Sequence, residues 1–340
     1  MSPAMHLWVC DSLAMIGARQ GSVWGTRLGP APVCQCAFVI NWFAGGAAAS
    51  TLTSTVNCLM SKFVRPVVAA SALAILAGCA TPSATGPASM SAAQRAEVVW
   101  LGQSAFKITT PAGKVIVTDP WLRTNPITPP QYKQLDVFGR IDVLLVSHGH
   151  FDHIADAPAL AQQYNVPLRA PGDLNQTLTT LGVLPANLLP RMNKGGTIEP
   201  SPGIKVTAVH AEHSSVYVWK NPATTKDETH PGGEPIGWII ELDNGFRIYH
   251  AGDTAAFGDM RMIGDRYKPD LALVPIGGNF TMDPVEAAWA VKELIRPKAV
   301  IPMHYGTNPL AKGTAAEFVA AMGQSNVRVI VATPGVALGF

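Results

Sequence analysis

The sequence predicts a layered α+β domain in the part of the chain that begins near Glu97. Three observations support this prediction: apolar runs of strand length alternate with helical stretches, turns rich in Gly, Pro and Asn separate them, and acidic or imidazole side chains recur where the predicted strands end. The composition, 48% hydrophobic and 14% charged, is globular, with room in 340 residues for one large or two small domains. A formal net charge of +2 is too small to indicate a protein that binds nucleic acid.

The first half of this domain is predicted as strands followed by helical units. The predicted segments are strands over 98–109 and 114–118 with a turn at 111–113, a Pro-rich loop over 125–130, a buried strand over 141–146, helical character over 154–164, short strand and helix units over 167–170, 172–181 and on to 198, and a strand over 204–209.

The second half begins with a polar segment, 221–235, rich in Pro and Gly. It is predicted as a long mobile loop, either a lid over a site or, in its 232–235 part, merely a turn. A hairpin of 236–242 and 246–250 across 243–245, a strand over 271–276 and a strand over 299–302 follow. A helix over 284–295 is predicted with Asp283 as its cap and Pro284 at its first position.

The segment 147–156, SHGHFDHIAD, lies between the predicted strand 141–146 and the helical stretch after it. It places His148, His150, Asp152 and His153 within six positions, and Gly149 supplies a loose backbone. Asp152 alone could be a helix cap, and a single histidine is more often a surface residue than a ligand. Four such side chains together favour a divalent metal such as zinc.

Further candidate ligands follow at other strand ends. These are Asp119, either of His210 and His213, Asp253, and His304. Strand ends on one edge of a layered fold converge, so a shared site is the economical explanation. All five cysteines lie at or before Cys79, so the metal site must be built from His and Asp.

This order of residues resembles the metallo-β-lactamase superfamily. It is most similar to metal-dependent hydrolases related to L-ascorbate-6-phosphate lactonase and, more distantly, to N-acylphosphatidylethanolamine phospholipase D. The resemblance covers about residues 97–331 and is carried by 118–120, 147–156, 249–254, 275–282 and 302–305. It implies a four-layer αβ/βα sandwich with a dinuclear metal site in the cleft between the sheets.

The resemblance also implies the roles of the ligands. One metal ion would be held by His148, His150 and His213, and a second by Asp152, His153 and His304, with Asp253 bridging the two. His213 is chosen over His210 because relatives place this ligand just before a Ser-containing segment. Asp152 and Asp119 are the two predicted catalytic carboxylates, the first orienting the nucleophile and the second supporting the ligands from behind.

Such a site predicts a hydrolase. Two cations roughly 3.5–4 Å apart share a water, lower its pKa and leave a bridging hydroxide as nucleophile for an ester, lactone or phosphodiester. Zinc suits these ligands, and manganese or iron would also be accommodated. Antibiotic hydrolysis is disfavoured because lactamases lack the bridging Asp. RNA processing is disfavoured by the nearly neutral net charge and by the export signal. Redox chemistry is disfavoured because no flavin domain fits after His304. The alternative is a non-catalytic metal-binding envelope lipoprotein.

The N-terminal region predicts export. Segment 1–59 has three Trp, four Cys and only three charged residues, and no domain is assigned to it. Met60 opens a predicted signal peptide, 60–78, with Lys62 and Arg65 before an apolar core over 67–77. An ordinary buried helix would explain the apolar core but not the basic start. Our hypothesis is that Met60 is the true start and that 1–59 is a non-native upstream extension.

The signal peptide ends in Leu76-Ala77-Gly78-Cys79, which resembles a bacterial lipobox with Cys79 as the lipidated residue. The Pro-, Ser- and Ala-rich segment 79–96 is predicted to be a disordered tether before the hydrolase domain, 97–340. Ala80 suits sorting to the outer membrane. The predicted location is therefore the periplasmic face of the envelope, with a small-molecule or lipid-derived substrate.

Overall fold

The computed structural model describes residues 95–340. Segment 1–59, the predicted signal peptide, Cys79 and the tether up to residue 94 lie outside the described residues. From residue 95 to the C-terminus, no helix is both long enough and apolar enough to span a membrane.

The strands of the described residues are numbered in chain order. The first eight are β1 (Glu97–Gly102), β2 (Ala105–Thr109), β3 (Val115–Thr118), β4 (Val143–Leu145), β5 (Leu168–Pro171), β6 (Arg191–Met192), β7 (Thr197–Ser201) and β8 (Ile204–His210). The others are β9 (Val216–Lys220), β10 (Asp227–Pro231), β11 (Ile236–Glu241), β12 (Arg247–His250), β13 (Leu271–Pro275), β14 (Ala299–Met303), β15 (Arg328–Val329) and β16 (Ala337–Gly339).

Two seven-stranded mixed sheets form the centre of the domain. The first has the order β16-β1-β2-β3-β4-β5-β6 and the second β15-β14-β13-β12-β11-β8-β7, while β9 and β10 form a separate hairpin. The inward faces of both sheets contribute to one core, in which Phe106 and Ile116 of the first sheet join Trp238 and Ile248 of the second. Burial of these apolar faces against each other is the main force that holds the sheets together.

Helices cover the outer face of each sheet. They are α1 (Phe151–Ile154), α2 (Ala157–Tyr164), α3 (Gly172–Thr180), α4 (Met260–Tyr267), α5 (Pro284–Trp289) and α6 (Ala315–Met322), and α5 continues as a π-helical segment, Ala290–Ile295. Leu160 of α2 and Leu174 of α3 pack on the first sheet, and Ile263 of α4 and Phe318 of α6 pack on the second. The predicted four-layer αβ/βα sandwich is confirmed.

Several local predictions are also confirmed. β11 and β12 pair as the predicted antiparallel hairpin. The Asp283 side chain caps α5 by accepting hydrogen bonds from the backbone N–H groups of Val285 and Glu286, and Pro284 occupies the first helical position. Parallel strands β12, β13 and β14 run side by side, so the loops after them leave from one edge of the second sheet.

The single strand predicted over 98–109 is wrong. The chain reverses after Gly102, with a φ of 104°, and Gln103, with a φ of 53°, so β1 and β2 form a tight hairpin. A Cβ at Gly102 would lie 2.8 Å from Ile127 Cγ1, which explains the glycine. An isolated Gly in a strand pattern was the available signal for this irregularity.

Two further predictions need correction. The helical stretch predicted over 154–164 begins earlier, at Phe151, and is broken into α1 and α2. The segment 221–235 is not an irregular loop, because β9 and β10 pair in register from Val216 opposite Pro231 to Lys220 opposite Asp227. One face of this hairpin is exposed and the other half-buried, so its sequence lacks the apolar alternation of a core strand.

Candidate metal centre

The loops after the strands bring the seven predicted ligands together at one edge of the sandwich. Their nitrogen and oxygen atoms fall into two groups, and within each group all ligand atoms lie within 4.8 Å of one another. The first group is His148, His150 and His213, and the second group is Asp152, His153, Asp253 and His304. Residues more than 150 positions apart in the chain, such as His148 and His304, thus meet because the loops after parallel strands lie at a common edge.

Asp253 lies between the two groups. Its Oδ2 is 3.0 Å from His304 Nε2 and 3.6 Å from His213 Nε2, and its Oδ1 is 3.2 Å from His153 Nε2. Asp152 Oδ2 is 3.3 Å from His304 Nε2, and His148 Nε2 is 2.9 Å from His150 Nδ1. One carboxylate therefore faces a histidine of the first group and two histidines of the second.

Several buried atoms of the second group have no hydrogen-bond partner. They include Nε2 of both His153 and His304, and Oδ1 of Asp253. A buried polar atom without a partner costs about 1–3 kcal/mol, so native proteins seldom leave several together. Nitrogen and carboxylate donors that converge without thiolates fit a divalent cation such as zinc, which would satisfy all of them.

Asp119 fixes the orientation of the second group from behind. Its Oδ2 lies 2.8 Å from His153 Nδ1 and accepts a hydrogen bond from the Ser147 hydroxyl at 2.6 Å. Its Oδ1 accepts the Ser147 backbone N–H, also at 2.6 Å. Because Nδ1 of His153 donates to Asp119, the Nε2 of that ring faces Asp253 and is available as a ligand.

A model of the beta-lactamase superfamily domain matches residues 114–305, which contain all seven of these ligands. The chain is a member of the metallo-β-lactamase superfamily. A UPF0173 metal-dependent hydrolase of Polaromonas sp. is 60% identical over 276 residues, 81% of this chain and 98% of that relative. A second, from Cupriavidus necator, is 54% identical over 286 residues, 82% of this chain and 99% of that relative. The predicted resemblance is confirmed, and the chain is a metal-dependent hydrolase.

A solved structure supports the same assignment. The metallo-hydrolase Igni18 of the archaeon Ignicoccus hospitalis matches with a TM-score of 0.61 and 32% sequence identity, over 72% of this chain and 98% of that one. The match spans nearly the whole of that protein, so the sandwich is shared as a unit.

The two groups of the superfamily site differ in charge. Burial is the main cause that lowers the pKa of His148, His150 and His213, so these imidazoles are neutral, which is the form that binds a metal ion. Burial acts in the same direction in the second group, but carboxylates outweigh it there. The Asp253 carboxylate has the largest effect of these carboxylates. It raises the pKa of His304 to about 9 and holds the pKa of His153 well above its ordinary value.

Metal binding to the second group should release protons. A cation must displace the proton of His304, whose pKa of about 9 means that it is protonated at neutral pH in the metal-free protein. We expect zinc affinity to rise as pH increases towards about 9, because metal binding then has fewer protons to displace. Calorimetric titration in buffers of different ionisation enthalpy measures the protons released, with His210→Ala as control. An affinity that does not change with pH would contradict this.

His210 and His213 point in different directions. His213 belongs to the first group, whereas the half-exposed His210 side chain lies 3.1 Å from Lys194 Nζ and 3.3 Å from a Glu212 carboxylate oxygen. Its ring also packs edge-on against Phe257 at 4.7 Å between centroids. His213 therefore lies with the other candidate ligands, whereas His210 lies in a surface network with Lys194 and Glu212.

This difference predicts unequal effects of two alanine variants. His213→Ala should lower metal affinity and hydrolysis at least about 100-fold, since it removes a donor that nothing nearby replaces. His210→Ala should change the free energy of unfolding by only about 0.5 kcal/mol and leave metal affinity intact. Metal content by mass spectrometry and calorimetric affinity measure both, and a larger loss for His210→Ala would reassign the ligand.

Gly149 is required for close packing, which differs from the loose backbone expected for it. Its φ is not in the left-handed region, but an added Cβ would lie 2.9 Å from the Val216 carbonyl oxygen and 3.1 Å from Gly232 Cα. The Gly149 N–H also donates to the Ser215 hydroxyl at 3.0 Å. The β9–β10 hairpin thus packs directly on the backbone between two histidine ligands.

Gly149→Ala should therefore disturb the first group. The new methyl group meets backbone atoms that cannot rotate away, so we expect a loss of about 1–3 kcal/mol in the free energy of unfolding and weaker metal binding. Gly258→Ala is the matched control, because nothing lies within 4 Å of a Cβ there and its φ is not left-handed. Thermal denaturation and zinc titration compare the two variants. Equal stability and equal zinc affinity would show that the β9–β10 hairpin moves to accommodate the methyl group.

Gln103 is a site residue that the sequence did not indicate. It is 2% exposed in the β1–β2 turn, and its side-chain amide Nε2 donates to Asp152 Oδ2 at 2.7 Å. Its backbone carbonyl accepts the His304 N–H at 3.0 Å, and its Oε1 accepts the Thr307 hydroxyl. The turn therefore ties two ligands of the second group to each other.

Proposed function

We propose that this hydrolase holds two divalent metal ions, zinc or alternatively manganese or iron, and cleaves an ester, lactone or phosphodiester bond in a small-molecule or lipid-derived substrate. The observation that carries the proposal is the position of Asp253, whose two oxygens face histidines of both groups. A carboxylate in that position suits a ligand shared by two cations.

The seven ligands divide between two ions in this proposal. His148, His150 and His213 would hold the first, Asp152, His153 and His304 would hold the second, and Asp253, which faces histidines of both groups, would be shared. The ions, when bound, would supply Lewis acidity towards a carbonyl or phosphoryl oxygen and lower the pKa of a water molecule. The negative charge of Asp253 would offset part of the charge of the ions when they are bound.

Asp152 is the more exposed of the two carboxylates in the second group, because the Asp253 side chain is only 3% exposed. The Asp152 side chain is 17% exposed and lines the cavity in front of the ligands. Burial would raise its pKa, but His153 and His304, whose Nε2 lies 3.3 Å from Asp152 Oδ2, outweigh burial and hold that pKa at about 2. Asp152 is therefore ionised at neutral pH, where it orients a water molecule by accepting its hydrogen bond. Asp119 acts through His153 by holding the proton on Nδ1.

Metal content and a substrate panel test the proposal together. The purified chain should hold close to two metal ions and, when loaded, hydrolyse at least one of a generic carboxylic ester, lactone and phosphodiester. Removal of the ions with a chelator should abolish hydrolysis, and re-addition should restore it. Two bound ions without turnover would support the alternative, a non-catalytic metal-binding protein, and a firm value of zero ions would overturn both.

We also propose that the enzyme is anchored to the envelope through lipid on Cys79, where envelope-derived substrates are at hand. The support is the sequence alone: a basic start, an apolar core too short to span a bilayer comfortably, and Leu76-Ala77-Gly78-Cys79. Labelled palmitate should enter the natural protein and be lost in Cys79→Ser but not in Ser83→Ala, a substitution in the predicted tether. Peptides from before Met60 in the natural protein would contradict the proposed start.

A further inference from the structure

A cavity of about 430 Å³ opens in front of the metal ligands. Apart from ligand side chains, its lining is neutral, and consists of Phe151, Ser214, Asn279, Phe280 and Asn308. Within the described range 95–340, no Lys or Arg side chain lines it. The volume is that of a small-molecule pocket, and its fixed groups offer apolar contact and neutral hydrogen bonds beside the metal centre.

Two phenylalanines form the mouth of this cavity. Phe151 is 64% exposed and Phe280 is 44% exposed. The Phe151 ring is held edge-on against Trp121, with 5.5 Å between ring centroids, and Trp121 is itself fixed by its indole N–H, which donates to Thr124 Oγ1 at 2.7 Å. An exposed ring that is supported from behind is organised to contact a ligand rather than to fill a core.

The loop that carries Phe280 is tied to the ligand loops. Gly278 and Asn279 have φ values of 69° and 58°, a tight turn in which the Phe280 N–H donates to the Gly278 carbonyl at 2.6 Å. The Met282 N–H donates to the carbonyl of Thr254, next to Asp253, at 3.1 Å. The aromatic wall is thus fixed relative to the metal centre, which lowers the entropy lost when an apolar group binds.

The groups near this cavity that could bind an anion already have acidic partners. The N-terminus of α5 is capped by the Asp283 carboxylate, which accepts its free N–H groups and would repel an anion. Lys312 lines a neighbouring cavity that also contains Asp283 and Glu317, so two carboxylates share the surroundings of that cation. A distal phosphate or carboxylate of a substrate would find no partner of the kind such groups require.

We propose that the substrate is a neutral carboxylic ester or lactone, and that Phe151 and Phe280 bind an uncharged aromatic or alkyl group beside the scissile bond. This inference rests on the proposed function and narrows it, because a phosphodiester or a substrate with a distal charge is then disfavoured. The carbonyl group would face the metal ligands, and the apolar group would lie against the two phenylalanines.

A matched pair of esters tests the charge preference in the zinc-loaded full chain. p-Nitrophenyl pentanoate and mono-p-nitrophenyl glutarate share the leaving group and nearly the same acyl length, but the glutarate carries a distal carboxylate. We expect kcat/KM to be at least about tenfold higher for the pentanoate. Its alkyl chain makes apolar contacts in the cavity, whereas the carboxylate of the glutarate has no cationic partner there. Equal values, a preference for the glutarate, or faster hydrolysis of bis-p-nitrophenyl phosphate would overturn the inference.

A binding experiment keeps the inference testable without turnover. The ketones 1-phenylpentan-1-one and 5-oxo-5-phenylpentanoate imitate the two kinds of substrate and cannot be hydrolysed. The neutral ketone should bind several-fold more tightly by saturation-transfer NMR, and Phe280→Ala should remove most of that difference. Met262→Ala is the control, because Met262 is 59% exposed on α4 and does not line this cavity.

The binding result separates the two proposals. If the neutral ketone binds selectively but no ester is hydrolysed, the apolar pocket is supported and the proposed ester hydrolysis is contradicted. If esters are hydrolysed but neither ketone binds selectively, the proposed hydrolysis is supported and the apolar pocket is contradicted.

Discussion

Asp253→Asn should lose at least one metal ion and lower hydrolysis by more than about 100-fold, the largest effect expected of a single substitution in this chain. Asn has the same shape but no charge, and its nitrogen cannot bind a cation. The carboxylate contacts His153, His213 and His304, so the substitution removes a donor from both groups at once.

The same substitution should destabilise the metal-free protein. The Asp253 carboxylate is 3% exposed, and its pKa is well below the ordinary value because His153 and His304 outweigh the effect of burial. Removing one partner of a buried ion pair typically costs about 3–5 kcal/mol, since the other charge is left without compensation. Urea denaturation of the metal-free variants measures this loss, and added zinc should recover little of it.

Asp259→Asn is the matched control for this experiment. Asp259 is exposed just before α4, and its side chain makes no hydrogen bond or ion pair to the rest of the described domain. It should retain the metal content, activity and unfolding free energy of the parent. An Asp253→Asn protein that binds two ions and turns over normally would show that no carboxylate bridge is needed.

The sequence contained enough information for the ligands that lie close together in the chain or directly follow an apolar strand. His148, His150, Asp152 and His153 are conspicuous by their spacing, and Asp253 and His304 follow β12 and β14, whose apolar runs are easily recognised. Local sequence could not separate His210 from His213, because His210 ends β8, His213 follows three positions later, and only the path of the loop decides which side chain points inward.

Contacts between distant segments could not be predicted. Gly149 was expected to supply flexibility, but its actual constraint comes from Val216 and Gly232, on a hairpin more than 60 residues away. That hairpin itself was missed because neither of its faces is fully buried, so hydrophobic periodicity is weak. The left-handed turn at Gln103 was likewise hidden within an apparently continuous strand pattern.

Gln103→Asn should lower kcat by about 10–100-fold, the range typical of residues that orient a metal ligand. Asn is among the residues that adopt a left-handed φ most readily, so the turn between β1 and β2 should be retained. Its side chain is one methylene shorter and cannot reach Asp152 Oδ2, which Gln103 contacts at 2.7 Å. The loss should appear mainly in kcat, because no substrate contact is removed.

Gln103→Glu tests the same contact by charge instead of length. A carboxylate opposite Asp152 would repel it and raise its pKa, so the loss of metal affinity should be strongest at low pH, where a proton on Asp152 competes with the metal ion. Gln324→Glu, at an exposed position outside the site, adds the same charge without that contact. The absorption spectrum of the cobalt-loaded protein reports the geometry at Asp152 and should change in both Gln103 variants but not in the control. An unchanged spectrum with normal kcat would mean that Asp152 is positioned by its metal and His304 alone.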